Sequence, residues 1–425
     1  MTSMEHHNGH REDEEEDHAN HNGQDAVDAL SRGRRLSAIE KLPVEVLRQI
    51  FGPELDLLTS TREKHNDLFS LCLVCRAFLP IAQAALLNNV TIRAEGRAIL
   101  LRNMVTSQPH LATLVNGIHW TMFSNTSSPA LLAHLIDLVK PSSLAVGHGF
   151  FRTSSSESAT LTEALYELGD KLQSFTFGSF DTGGYTSSDF ISHHLTKWSN
   201  LTRLDLWNVS FVQETNPLHD LDIPLLQNTQ WNTYTKPSFR LKHLGIQWTR
   251  RDKLDHWKLE ESDWLAWLLS SSSRTLRSLK MTGLNRALPE TTVDLLTNLS
   301  VNLQDLYMSN YTGPQLLADI LLHQAEKLYT LTLGGDIAYV EPGDTSSIPT
   351  LSTSSSLDNK TNLRCLEIHD LLLFDRLNVL EWIKEGKLPA LRQITLLNAS
   401  RVYLPVQKLV LWCRGTDISV VVRPP

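Results

Sequence analysis

Leu42, Val46, Leu47, Ile50 and Phe51 fall at steps of three and four residues, which puts an apolar stripe on one side of a helix. Pro43 suits the first turn of such a helix, where a backbone N–H has no intrahelical acceptor. A polar break, "TSTREKHND", leads to a second apolar helical run from Leu68 to about Val74. Pro80 interrupts or kinks the chain after that run, and "IAQAALLNNVTI" predicts a further helix running into a short strand. The apolar residues of these three short helices cover more than one face of each. A unit this small cannot bury all of that surface internally, so some of it is left for a partner.

Beyond residue 100 a different pattern recurs, Leu-x-x-φ-x-φ, where φ is apolar. It reads "LQSFTFGS" from Leu172, "LTRLDLWN" from Leu201, "LKHLGIQW" from Leu241, "LRSLKMTG" from Leu276, "LQDLYMSN" from Leu303, "LYTLTLGG" from Leu328, "LRCLEIHD" from Leu363 and "LRQITLLN" from Leu391. Helical segments precede most copies: "TLTEALYEL", "DFISHHLTKW", "SDWLAWLL", "ETTVDLLTNL", "PQLLADILLHQ" and "FDRLNVLEWI". A helix and a short strand, repeated, is the leucine-rich-repeat plan, in which parallel strands stack, alternate leucines enter the core and helices cover the outer side. "LATLVNGIHW" from Leu111, followed by "PALLAHLIDLV", reads as a degenerate first unit, and "ISVVV" at 418–422 as a strand that pairs with the end of the sheet. The spacing is irregular because of insertions near 209–240, with Pro217, Pro224 and Pro237, and near 336–360, with "TSSIPTLSTSSS"; both read as surface loops. A non-repetitive α/β domain holds a few such strings by chance. Eight copies, most with a helix in front, favour the repeat.

Charge changes the picture at the N-terminus. The chain carries a formal charge of -8, and most of it lies in the first 20 residues, where Glu5, Glu12, Asp13, Glu14, Glu15, Glu16 and Asp17 face only Arg11. Residues 1–36, polar, acidic and histidine-rich, hold too little apolar surface to offset ordering entropy and are expected to be disordered. His6, His7, His10, His18 and His21 have no fixed geometry for a metal, so a solvated tail is the better reading and no metal site is expected. The remainder is nearly neutral and lacks the clustered basic face of a nucleic-acid binder. No run of residues approaches a membrane span, and the N-terminus has no apolar signal region, so the expected compartment is cytoplasmic or nuclear. The four cysteines rule out a disulfide scaffold. Cys72 and Cys75 lie in an apolar helical run and read as buried small hydrophobes.

Catalytic signatures are missing: there is no phosphate-binding loop, no His-Glu-x-x-His, no Gly-x-Ser-x-Gly and no dinucleotide fingerprint. "GHGF" at 147–150 lacks the third glycine and following lysine of such a loop. A Cys365 or Cys413 nucleophile with a histidine elsewhere is a remote alternative. The expectation is a non-enzymatic receptor without a cofactor. Because side chains alternate across a strand, the third, fifth and seventh positions of each repeat turn away from the core. Aromatic and arginine side chains dominate binding energetics, so Arg203, Trp207 and Tyr307 lead the candidate contacts for a target protein, with Asp205, His243, Gln247, Lys280, Glu367 and His369 beside them. The mixture of charge signs and hydroxyls suits a protein or peptide better than a polyanion. Trp248, Trp257, Trp264 and Trp267 crowd together, but Trp264 and Trp267 lie three apart on one helix, which favours packing against the sheet. Ser37 begins "SAIE", the spacing of a capping box, and it also follows "RGRRL", which suits a basophilic kinase; it is a possible phosphorylation site.

"LPVEVLRQIF" followed by "DLFSLCLVCRAFLPIAQAALLNNVTI" resembles the F-box, a compact helical module with a Leu-Pro start and a later Val-Cys-Arg. The resemblance assigns 37–92 to an F-box of three helices and implies that its exposed apolar face, with Leu42, Pro43, Leu47, Ile50, Val74 and Cys75, docks the Skp adaptor and through it a cullin. The stretch between Phe51 and Leu68 is several residues longer than the usual linker. With 93–425 as an irregular leucine-rich-repeat solenoid, parallel strands inside and helices outside, the whole is similar to the F-box/leucine-rich-repeat proteins common in fungi. That similarity implies an α/β fold and a substrate receptor of a Skp-cullin-F-box ubiquitin ligase, acting in proteasomal degradation. The alternative is a non-ligase scaffold that binds proteins through its repeat domain.

Overall fold

The computed structural model describes residues 79–120, 128–147, 150, 156–178, 186–187, 195–210, 236–248, 259–282, 303–309, 327–334, 362–369, 379–400 and 402–424. Two compact units divide the chain, Met1–Leu86 and Leu87–Pro425. Of the first, only 79–86 are described, so Ser37, Leu42, Pro43, Leu47, Ile50, Val74 and Cys75, the first two helices of the expected module and the acidic tail lie outside the described residues.

The first described helix, α1 (Leu79–Asn88), runs into strand β1 (Asn89–Ile92), as "IAQAALLNNVTI" predicts. Next come α2 (Glu95–Ser107), α3 (Pro109–Ala112), β2 (Gly117–Trp120), α4 (Pro129–Val139), β3 (Ser143–Val146), α5 (Ser156–Leu168) and β4 (Ser174–Phe177). The remaining described elements are β5 (Thr186–Ser187), β6 (Arg203–Ser210), β7 (His243–Trp248), α6 (Leu259–Leu269), β8 (Ser278–Thr282), β9 (Asp305–Ser309), β10 (Thr330–Gly334), β11 (Cys365–Ile368), α7 (Val379–Lys384), β12 (Gln393–Leu396), α8 (Leu404–Cys413) and β13 (Ser419–Val422). Helix α4 shows how local chemistry sets an end. Ser128 caps it by accepting from the Leu131 N–H at 3.2 Å, Pro129 takes the first turn, and Lys140 closes it in the left-handed region with its N–H on the Ile136 carbonyl.

The strands form one sheet in chain order, β1-β2-β3-β4-β6-β7-β8-β9-β10-β11-β12-β13, with β5 paired beside β6. Every pair is parallel. The strands start in one register: Asn89, Gly117, Ser143, Ser174, Arg203, His243, Ser278, Asp305, Thr330, Cys365, Gln393 and Ser419 stand opposite one another in succession, and the β6–β7 pair shifts by one residue only past Leu206, where Val209 pairs with Trp248. A recurring hydrogen-bond pair sets it. At every step from β3 to β12, one carbonyl just before a strand accepts two successive N–H groups from the next repeat; Thr202 and Arg203 on Gln173, and Arg277 and Ser278 on Lys242, are examples at 2.8–3.0 Å. Connecting backbone that would otherwise lose its partners is thereby satisfied.

Alternation follows from this register. The leading leucines and the fourth and sixth residues of all eight repeats, from Leu172, Phe175 and Phe177 to Leu391, Ile394 and Leu396, are at most 4% exposed. They join one core with Leu132, Leu135 and Ile136 of α4, Leu161, Leu165 and Leu168 of α5, Trp264, Leu265 and Leu268 of α6, Val379 and Trp382 of α7, and Val406 and Leu409 of α8. The third, fifth and seventh residues stay out of that core, so one face of the sheet is packed by helices, and no described helix covers the other, the open face. Their spacing predicts that at least one of Trp264 and Trp267 packs into the core, and both are buried there.

Three features extend the pattern beyond the sequence reading. Strand β1, read as the tail of the helical module, is hydrogen-bonded to β2 and begins the sheet. Strand β3 sits between β2 and β4, although Pro141 stands where the other repeats have a leading aliphatic residue. Helices α2 and α8 were not signalled by any repeat. The expected strand at 418–422 is present as β13 and pairs with β12. The described residues contain no helix long and apolar enough to cross a membrane. The insertion segments at 211–235 and 335–361 lie outside the described residues.

Candidate functional site

The middle of the open face, from β6 to β11, gathers nearly all the charged and aromatic side chains of interest. Arg203 and Asp205 occupy the third and fifth positions of β6. Their side chains meet, Arg203 Nε donating to Asp205 Oδ2 at 2.8 Å. The other carboxylate oxygen, Oδ1, pairs with His243 Nε2 of β7 at 2.9 Å, and His243 Nδ1 pairs with the Ser278 hydroxyl of β8 at 3.0 Å. One hydrogen-bonded group therefore crosses three strands. Gly245 makes it possible: a Cβ there would stand 2.1 Å from Asp205 Oδ1, so only glycine leaves room for the carboxylate to lean over the neighbouring strand.

Asp205 retains only 7% of its side-chain exposure. Burial pushes its pKa up, but the hydrogen bond and charge of His243, with those of Arg203, outweigh that and hold the carboxyl below its usual range. Both carboxylate oxygens are thus committed to partners in the sheet. Arg203 is different, with 55% of its side chain exposed and only its Nε engaged by Asp205.

The order Asp205, His243, Ser278 is that of a nucleophile relay. A relay also needs donors for a developing oxyanion. Here the N–H groups of Arg277 and Ser278 both donate to the Lys242 carbonyl, at 2.8 and 3.0 Å, and are spent on the sheet. The arrangement fixes side chains in place; it presents no backbone donor pair beside Ser278 among the described residues.

A second group lies next to the first. The Lys280 ammonium of β8 sits 5.0 Å from the ring centroid of Trp207 and 4.8 Å from that of Tyr307, which places a cation between two aromatic faces. Such contacts are worth about 0.5–2 kcal/mol each, depending on exposure. Tyr307 meets the His369 ring edge-on at 5.8 Å, and His369 Nε2 pairs with Glu367 Oε1 at 2.5 Å. Gly334 opens this side of the face, since a Cβ there would press on His369 Nδ1 and the Tyr307 hydroxyl, each 3.0 Å away.

Eight of the nine sequence-predicted target contacts are thus drawn into two adjoining groups: Arg203, Asp205 and His243 in one, Trp207, Lys280, Tyr307, Glu367 and His369 in the other. Gln247, at the seventh position of β7 beside Thr282, joins neither among the described residues. Sequence reasoning placed Ser278, Gly245 and Gly334 on this face but gave them no role. The signal for the glycines was present: a glycine inside a strand marks a close approach by a neighbour. Comparison with protein-family models and with curated proteins finds no match to this chain.

Proposed function

We propose that this chain is the substrate-recognition subunit of a Skp-cullin-F-box ubiquitin ligase, its F-box docking the Skp adaptor and its repeat domain holding a target protein. The observation that supports the receptor half is the open face itself. Its central side chains are ordered by one another across neighbouring strands, contribute nothing to the core, and combine the aromatic and arginine residues that anchor protein interfaces. The docking half rests on the sequence from Leu42 to Phe78, with its Leu-Pro start, its Val-Cys-Arg and its apolar excess. In this reading catalysis belongs to other subunits, and the chain contributes proximity: a bound target has its lysines at high effective concentration near the charged ubiquitin carrier.

The test is co-expression with a Skp adaptor, followed by size-exclusion chromatography and mass analysis. A stoichiometric complex is expected, and Leu47→Asp should abolish it while leaving the repeat domain folded, because the substitution puts an unpaired charge into an apolar interface. A folded protein that ignores the adaptor would overturn the ligase reading and leave a protein-binding scaffold in its place.

A further inference from the structure

The hydrogen-bonding capacity of the central open face is unevenly used. Two of its three carboxylates are engaged: Asp205 accepts from Arg203 and pairs with His243, and Glu367 pairs with His369, while Asp305 is exposed. Its donors are less engaged. Arg203 uses Nε alone, which leaves both terminal nitrogens of an exposed guanidinium without an acceptor among the described residues. Lys280 has aromatic rings on two sides and, among the described residues, no carboxylate or carbonyl to accept from its ammonium. A half-buried ammonium with three donors and no acceptor is unfinished chemistry.

We infer that the target segment presents a carboxylate to Lys280 and Arg203, so that an aspartate or glutamate side chain in an exposed stretch of the partner is the group this face selects. The inference rests on the receptor reading above and names the chemistry of its ligand. Rings beside the ammonium favour this outcome, because Trp207 and Tyr307 restrict it to a few orientations and keep part of its surroundings dry, where a charge-assisted hydrogen bond is stronger than in water. The balance of charge limits the anion. Arg203 and Lys280 stand among Asp205, Asp305 and Glu367, so the neighbourhood as a whole is slightly negative. A single carboxylate adds one negative charge to this neighbourhood; a phosphate dianion or a run of acids adds more and is repelled more strongly by the three carboxylates.

The experiment uses the full-length protein and an array of degenerate 12-residue peptides that differ only at a fixed central residue: glutamate, glutamine, lysine or phosphoserine. The wild type is expected to retain the glutamate set about tenfold more strongly than the glutamine set, and Lys280→Met, verified as folded by an unchanged melting transition, is expected to lose that preference. Equal retention of glutamate and glutamine sets would overturn the inference, as would a preference that survives in the variant. Stronger retention of the phosphoserine set would overturn the choice of a carboxylate. A rise in lysine-set binding in the Lys280→Met protein would overturn it differently, by showing that the two rings form a cation cage that Lys280 merely fills. Adaptor binding is measured separately on the same preparations, so loss of the ligase reading and loss of this one are told apart.

Discussion

At the scale of the residue, Asp205 is the position where charge, burial and function meet. Its carboxylate is almost sealed from water and yet ionises more readily than usual, because His243 and Arg203 repay the cost of burial. A carboxyl whose pKa is lower folded than unfolded binds fewer protons in the native state, so stability rises with pH across that interval. The contribution is complete above the unfolded value of about 4 and is lost as pH falls through the lowered native value. Asp205→Asn is therefore expected to be less stable than wild type at neutral pH, by about 1–2 kcal/mol given the exposure of Arg203. That gap should narrow below about pH 4, as the wild-type carboxylate takes up its proton. Urea melts at a series of pH values check this, and a gap that stays constant across the series would contradict it.

At the scale of the element, each repeat is a strand held by a leading leucine and two inward side chains. Leu306 sits in the middle of this arrangement, 1% exposed in β9, with β8 and β10 aligned on either side. Leu306→Ala is expected to cost about 2–5 kcal/mol, because fixed strands on both sides prevent collapse into the space left behind. Denaturant midpoints measure it; a loss under about 1 kcal/mol would mean that the neighbours repack freely. The same anatomy explains which elements were legible in the sequence. Leu-x-x-φ-x-φ located β4, β6–β12 and their open-face positions, since a period of two with a fixed leading leucine is a local signal. Strand β3 escaped because Pro141 replaces that leucine, so its identity comes from hydrogen bonds to β2 and β4 rather than from its own residues. The candidate contacts were legible one by one but not as two groups. Which side chains join across strands depends on the shared register at the strand starts and on the space at Gly245 and Gly334, and neither is a property of one segment.

At the scale of the whole repeat unit, chain order and sheet order coincide, so each strand on the main path is hydrogen-bonded to its predecessor and its successor in that order. In such an array stability is close to a sum of unit terms and nearest-neighbour interfaces. An end strand such as β13 is then a weak place by construction. Among the described residues strand β13 pairs with β12 alone, Ser419 is exposed and Val420 and Val421 are half-buried, while α8 beside it leaves Leu404 and Leu411 60% exposed. Amide exchange followed by mass spectrometry should accordingly show residues 419–422 losing protection at least about tenfold faster than 305–308 in β9. Leu306→Ala adds the decisive arm. If coupling runs between neighbours, that substitution accelerates exchange in β8, β9 and β10 well before it reaches β2 and β3. Uniform acceleration along the sheet would show instead that all the repeats open as one cooperative unit, and that local occupation of the open face stabilises its far ends as strongly as its own strands.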